Sequence, residues 1–411
     1  MMSEFDPLAY LTRIMETFYP IGADEVTGGV NRLGYGLVED EMHEAATKTA
    51  TDDGFVVETD SVGNLYFSRY PQGDYYLVAS HLDSVSDGGR YDGILGVAAA
   101  MTLLKMIKEE GLDIPLKVGA FRCEESTNFL KACLGSALVT GKFDPEDFVR
   151  LVSRDGKTLQ QVFADRGHST DLRVIDGVKG YLELHIEQGR VLESEKLPIG
   201  VVTSIAGNLR LEVRITGMAE HSGATPMNIR QDALCAAAEI VLAVEEIATS
   251  DPNHTSVGTV GSLNVHPNSL NVVSGAVSLA VDLRDGNNDR IELMSAQVQS
   301  RIRKICDRRG VDVDLRVVSH APAVTLDDGV VRGLSEAAHV RGIEHKLMPS
   351  GAGHDAMNFA DLCPTGMLFV PCENGVSHSP LEKADYADAV RGAHIMLEYL
   401  KRLEGQTTTV V

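Results

Sequence analysis

LRLEVRITG (residues 209–217) alternates apolar and polar side chains without a break, the period-two signature of a strand with one buried and one wet face. It marks a change of texture. Up to about Ser204, apolar runs that end in polar residues alternate with helical patterns, which predicts a parallel-type sheet covered by helices. From 209 onward the order differs: a helix from about Asn228 to Thr249, the alternating segments GTVGSLNV (258–265) and AVSLAVDLR (276–284), a second helix from about Asp289 to Asp307, and the alternating VDLRVVS (313–319). That βαββαβ order reads as a ferredoxin-like α+β unit. Past Pro322 the sheet-and-helix pattern resumes. The expected fold is therefore α/β and discontinuous, with one domain made from 1–206 and 323–411 and an inserted domain spanning 207–322.

Outside the insert, four apolar runs end in chemistry-bearing residues. YYLVASHLDSV (75–85) puts His81 at a strand's C-terminal end, where open α/β sheets place their ligands, with Asp83 available to hold the imidazole. DGGRYDGILG (87–96) is a glycine-rich loop carrying Asp92 ahead of a helix read from Leu95 to Glu110. PLKVGAFRCEES (115–126) ends in Glu124 and Glu125, adjacent carboxylates that repel unless a cation or a proton lies between them. GYLELHIEQG (180–189) presents Glu183, His185 and Glu187 on one face, with Gln188 on the other or in the next turn, and GMLFVPCENGVSHSP (366–380) leads to His378. Taken singly, a strand-end histidine is more often structural than a ligand, a Glu-Glu pair is usually solvated, and DGG is usually a turn. Their repetition at four strand ends points instead to His81, Asp92, Glu125, His185 and His378 as ligands of a two-metal hydrolase, with Glu124 the spare acid.

Composition sets bounds. The chain has 411 residues, 44% of them apolar, enough for two domains with their own cores. Its net charge of −22 disfavours nucleic acid and anionic membranes as partners. The cysteines at 123, 133, 235, 306, 363 and 372 show no CxxC spacing and are expected to be reduced thiols. MMSEFDPLAYL lacks the basic and apolar segments of a leader, and no apolar run approaches the ~20 residues of a membrane span, so a cytoplasmic enzyme is expected.

The blocks SHLDSVSDGGRYDGILGV (80–97), FRCEES (121–126), LELHIEQGRVLE (182–193), EHSGATPMNIRQDAL (220–234), NSLNVVSG (268–275) with DLR (282–284), GAGHDAMNFA (351–360) and GVSHSPLE (375–382) together resemble the amidase, hydantoinase/carbamoylase family of M20-type dinuclear metallohydrolases, from roughly Ile21 to Leu400. The resemblance implies a metal-binding catalytic domain with a mixed central sheet and an inserted ferredoxin-like domain that mediates dimerisation and acts as a lid. It implies two divalent ions per subunit, Mn, Zn, Co or Ni, on His81, Asp92, Glu125, His185 and His378, with Asp92 bridging. In this picture a metal-bridged hydroxide attacks and Glu124 is the general base. Gln188, His221, Asn271, Arg284, Gly353 and His354 contact substrate or stabilise the transition state, and His221 reaches the partner subunit's site.

The implied substrate is a small ureido compound bearing a carboxylate, and the segment SIAGNLRLEV (204–213) favours an N-carbamoyl-L-amino acid. Alternatives are allantoate, ureidoglycolate or β-ureidopropionate, or the peptide and acyl amides of M20 peptidases and aminoacylases, against which HIEQG with Gln188 argues. A non-catalytic, metal-stabilised binding protein is the remote reading, since such a site has no use for Glu124. Two departures from the family pattern bear on substrate fit: Ser126-Thr127-Asn128 replaces the usual Gly-x-Arg, and Ser269-Leu270 precedes Asn271. Without the resemblance, Arg284 reads as an ordinary ion pair with Asp282 or Asp285.

Overall fold

The computed structural model describes residues 5–70, 73–252 and 255–405, so the first four residues of the N-terminal stretch fall outside it. Thirteen strands are described: β1 (Val56–Thr59), β2 (Leu65–Ser68), β3 (Tyr75–His81), β4 (Leu116–Phe121), β5 (Val178–Ile186), β6 (Ile199–Ile205), β7 (Gly207–Thr216), β8 (Val257–His266), β9 (Ala276–Asp285), β10 (Asp312–Ala321), β11 (Val324–Thr325), β12 (His345–Ser350) and β13 (Thr365–Val370). The chain divides into two compact units. One comprises the residues up to Thr203 together with those from Leu326 on; the other is Ser204–Thr325.

The first unit is built on a mixed sheet in the order β1-β2-β4-β3-β5-β13-β6, with β12 beside β6. Its centre, β4-β3-β5-β13, is parallel, and antiparallel pairings flank it at β2/β4 and β13/β6. β3 and β13 are buried at every residue, because parallel strands covered on both faces must be apolar throughout. Register aligns His81 with Phe121 and His185 with Phe369, so the polar ends of the four parallel strands emerge along one edge. The helix Ile94–Glu109 is buried on nearly all sides and packs on the C-terminal helix Tyr386–Leu403 and on β3 and β5. An all-round apolar sequence is what a helix in that position requires.

The second unit is a four-stranded antiparallel sheet, β10-β7-β9-β8, backed by the helices Ala233–Thr249 and Asn288–Arg309. Leu209, Leu211, Val213 and Ile215 of β7 and Val277, Leu279, Val281 and Leu283 of β9 face Ala236, Ile240 and Val244 of one helix and Ile291, Met294, Val298 and Ile302 of the other. At about 1.5–3 kcal/mol for each fully buried aliphatic side chain, this cluster holds the unit together. One boundary differs from expectation. The first of these helices starts at Ala233, not near Asn228, because Asp232 is extended and its carboxylate accepts from Leu234 N and Cys235 N; Met227–Ile229 forms only a 3₁₀ turn. Among the described residues no helix is long and apolar enough to cross a membrane.

Candidate metal centre

Two groups of side chains at the C-terminal edge of the parallel strands can each hold a cation, and they share Asp92. His81, Asp92 and His185 form the first, all buried; Asp92, Glu125 and His378 form the second. Asp92 Oδ1 lies 3.3 Å from His81 Nε2 and 3.1 Å from His185 Nε2, while Oδ2 lies 3.4 Å from His378 Nε2. His378 Nε2 is also 3.1 Å from Glu125 Oε1. One carboxylate thus faces two triads with one oxygen each, the arrangement that suits a bridging ligand.

Local structure fixes each donor. Asp92 is set at the mouth of the helix Ile94–Glu109 by Gly93 at φ +70, where a Cβ would come within 2.4 Å of the His81 ring. Only glycine serves there. His81 Nδ1 lies 3.2 Å from Asp83 Oδ1, and the two oxygens of Asp83 accept from Glu124 N (3.0 Å) and Glu125 N (3.1 Å). Asp83 therefore aims His81 and ties it to the turn after β4. His185 Nδ1 is 3.0 Å from Ile186 O, which assigns the proton to Nδ1 and leaves Nε2 for a ligand. Gln188, at φ +57, donates from Nε2 to Asp92 Oδ2 at 2.7 Å.

The electrostatics are those of a cation site. Burial opposes charge on His81, yet Asp83, Asp92 and Glu124 hold its pKa well above the usual imidazole range. Hydrogen bonds to Asp92 and then Glu125 push His378 up to about 11. Burial raises Glu124 well above an ordinary carboxyl, with the neighbouring charge of His81 opposing and those of Glu125, Asp355 and Asp83 adding. Asp92 is held well below the usual range: burial works against it, and His185, His378 and His81 overcome burial. Divalent ions would meet the same charge balance by displacing imidazole protons. Although His81 Nε2 and His185 Nε2 flank it, the buried Asp92 Oδ1 receives no well-formed hydrogen bond among the described residues. The donor set of imidazoles and carboxylates without thiolate fits Mn, Zn, Co or Ni.

The remaining sequence-expected residues divide. Glu124 stands beside the first triad, Oε2 3.9 Å from His81 Nε2. His354 is buried, its ring 4.5 Å from that of His185 and Nε2 3.0 Å from Ser350 Oγ; Gly353 precedes it in the loop after β12. His221, Asn271 and Arg284 belong to the second unit. His221 Nδ1 accepts from Gly223 N (3.1 Å) and Ala224 N (3.2 Å), which leaves the ring proton on Nε2. Asn271 Oδ1 accepts from Ser269 Oγ, and Arg284 binds Asp282 through Nε (3.3 Å) and Nη2 (3.2 Å). Glu187, expected to share a face with His185, turns away and accepts from Val191 N and Leu192 N. Asn128 spends its amide on Gly34 O and Arg154 N.

Three site residues went unread in the sequence. Glu382 accepts from Tyr91 N (2.7 Å) and Asp92 N (3.0 Å), and the Ser377 hydroxyl lies within 3.0 Å of both Glu382 Oε2 and Asp92 Oδ2, binding the Asp92 loop to the His378 loop. Burial and then Asp92 push Glu382 up to about 7. Cys133 Sγ is 3.2 Å from Glu124 Oε1. The only available signal was that Ser377 and Glu382 lie in the same short block as His378.

The family model for Peptidase family M20/M25/M40 matches residues 77–402. An N-carbamoyl-L-amino acid amidohydrolase of Geobacillus stearothermophilus is 36% identical over 382 residues, 90% of this chain and 92% of that protein. A ureidoglycolate hydrolase of Arabidopsis thaliana is 34% identical over 367 residues, 85% of this chain and 77% of that protein. The crystal structure of an amidase of the hydantoinase/carbamoylase family from Burkholderia multivorans superposes with a TM-score of 0.90 at 32% identity, covering 96% of this chain and 97% of that one.

Proposed function

Because the chain belongs to peptidase family M20/M25/M40, and within it to the hydantoinase/carbamoylase amidases, we propose that its substrate is an N-carbamoyl-L-amino acid. It is a hydrolase of C–N bonds other than peptide bonds. The observation that carries the mechanism is the Asp92 carboxylate shared between two triads, with Glu124 beside them and outside both. His81, Asp92 and His185 would hold one divalent ion, and Asp92, Glu125 and His378 a second. When bound, the ions supply Lewis acidity and a nucleophile from water at neutral pH.

Glu124 takes the proton of the attacking water at Oε2, the oxygen turned toward His81, and delivers it to the leaving nitrogen. Burial raises its pKa above the ordinary carboxyl range, the direction that suits a residue which must accept a proton and return it. Gln188, Gly353 and His354 line the substrate's place, and Asn271 and Arg284 clamp its carboxylate. Asp282 holds Arg284 through Nε and Nη2, which orients the planar guanidinium. His221, with Nε2–H outward, stabilises the developing oxyanion in the partner subunit of a homodimer.

The test is a panel of N-carbamoyl-L-amino acids, β-ureidopropionate, allantoate, ureidoglycolate and dipeptides, following ammonia and free amine from the Mn-loaded protein. Turnover greatest on the carbamoyl amino acids is expected. The ureidoglycolate hydrolase relative favours ureidoglycolate as the second reading, and turnover confined to it, to allantoate or to dipeptides overturns the first.

Arg284→Ala should lower kcat/KM by roughly 100-fold, since a charge-assisted pair is worth about 3 kcal/mol, while metal content stays unchanged. The same variant should be indifferent to a substrate whose carboxylate is replaced by an amide. An equal loss on both substrates removes Arg284 from the clamp. For His221, mixing Glu124→Gln and His221→Ala subunits should restore one working site per heterodimer. No recovery, with subunit exchange verified, shows that each chain builds its own site.

A further inference from the structure

The turn that carries Glu124 is closed by a second segment lying directly against it. Three consecutive backbone amides, Cys133 N, Leu134 N and Gly135 N, donate to the carbonyls of Glu124 (2.7 Å), Cys123 (2.9 Å) and Arg122 (2.9 Å). The approach is so close that a Cβ on Gly135 would lie 2.3 Å from Arg122 O, so the register of the pair is fixed by backbone rather than by side-chain fit. Cys133 turns the chain into this contact at φ +52 and brings its thiol to Glu124 Oε1 at 3.2 Å. Cys133 is buried, at 7% exposure. Burial raises its pKa well above the ordinary value, with the charges of Glu124 and Asp355 adding, and so it remains S–H, a donor, beside the carboxyl.

Glu124 therefore has two unlike oxygens. Oε1 accepts the thiol, and Oε2 is the one turned toward His81 Nε2. A buried glutamate without that contact can swing about its terminal torsion, which is broad and roughly two-fold. We propose that Cys133 is a positioning residue for the proton-transferring carboxyl: its S–H anchors Oε1 and so holds Oε2 toward the metal triads through both halves of the reaction. This rests on the reading of Glu124 as the residue that moves the proton. It assigns Cys133 no contact with substrate or metal, and it makes no use of thiolate chemistry. A weak donor suits the task, because it orients the carboxyl without competing strongly for the charge that Glu124 must give up on protonation.

The test uses Cys133→Ala, which removes the donor, and Cys133→Ser, which keeps one. Cys133→Ala should lower kcat about tenfold, a fraction of the ~100-fold that a misplacement of about 1 Å costs, with KM and metal content unchanged. Cys133→Ser should recover most of that loss. An alanine variant with parental kcat overturns the proposal. So does a serine variant that falls as far as the alanine one, since both would then report packing alone.

A readout independent of turnover accompanies the kinetics. The S–H stretching band isolated by subtracting the Cys133→Ser infrared spectrum from that of the metal-free parent should show a hydrogen-bonded thiol and should move in Glu124→Gln. A band at the free-thiol position, unmoved by that change, overturns the proposal even if the kinetics agree. Should no member of the substrate panel be turned over, the assigned reaction fails, and the band still decides whether Cys133 anchors Glu124.

Discussion

Glu124→Gln is expected to lower kcat by roughly 10²–10⁴-fold, the usual share of general acid–base catalysis, while both metal positions stay filled. Glutamine keeps the size of the side chain and can still accept from Cys133, but it can neither take a proton from water nor return one to the leaving nitrogen. Metal content should be unaffected because Glu124 belongs to neither triad. Loss of metal with rate falling only in proportion would show that Glu124 and Glu125 have exchanged roles. The same variant has a second signature. Glu124's folded-state pKa is raised by burial, so the metal-free parent binds a proton that its unfolded chain releases, and its stability declines as pH rises above the ordinary carboxyl range. Glutamine has no charge to bury. The melting temperature of the metal-free variant should therefore gain on the parent's between pH 5 and pH 8, and an unchanged difference across that window contradicts a buried, proton-holding carboxyl.

Removal of divalent metal should abolish turnover and lower the melting temperature, with recovery on adding Mn, Co or Zn. Each ion bound at 100 times its dissociation constant stabilises the native state by about 2.7 kcal/mol. Chelation should also draw protons from the solvent near neutral pH, because the carboxylates around His378 hold its imidazole charged up to about pH 11 when no other cation balances them. Buffer-dependent calorimetry measures that uptake. Undiminished turnover by protein verified to be free of metal would sink the two-metal reading.

What could be read in advance, and what could not, has a physical basis. The five expected ligands come together in the structure, and four of them close or follow a strand that its own apolar run announces: His81 ends β3, Glu125 follows β4, His185 lies in β5 and His378 follows β13, while Asp92 stands just ahead of the helix Ile94–Glu109. Periodicity also announced β7 and β9, whose alternation is the core of the second unit. It could not show that Glu187 leaves the face it shares with His185, because the turn to Val191 and Leu192 lies beyond the strand where alternation applies. Glu382 and Ser377 reach Asp92 from a loop nearly three hundred residues away and Cys133 meets Glu124 across a tight turn, contacts with no period and no composition to mark them. Arg284 shows the other limit: its pair with Asp282 is what neighbouring charges on a strand do anyway, so only function can separate the clamp from the ordinary ion pair.

The two triads draw on both sides of the inserted unit. His81, Asp92, Glu125 and His185 precede it, while His378 follows, in the loop after a strand that enters the middle of the first sheet between β5 and β6. The second triad therefore cannot exist until the strand that follows the inserted unit has been made, whereas every ligand of the first is present before that unit is reached. Synthesis thus delivers the two half-sites in sequence, and a chain that stops short of His378 carries Glu125 without the imidazole that faces it.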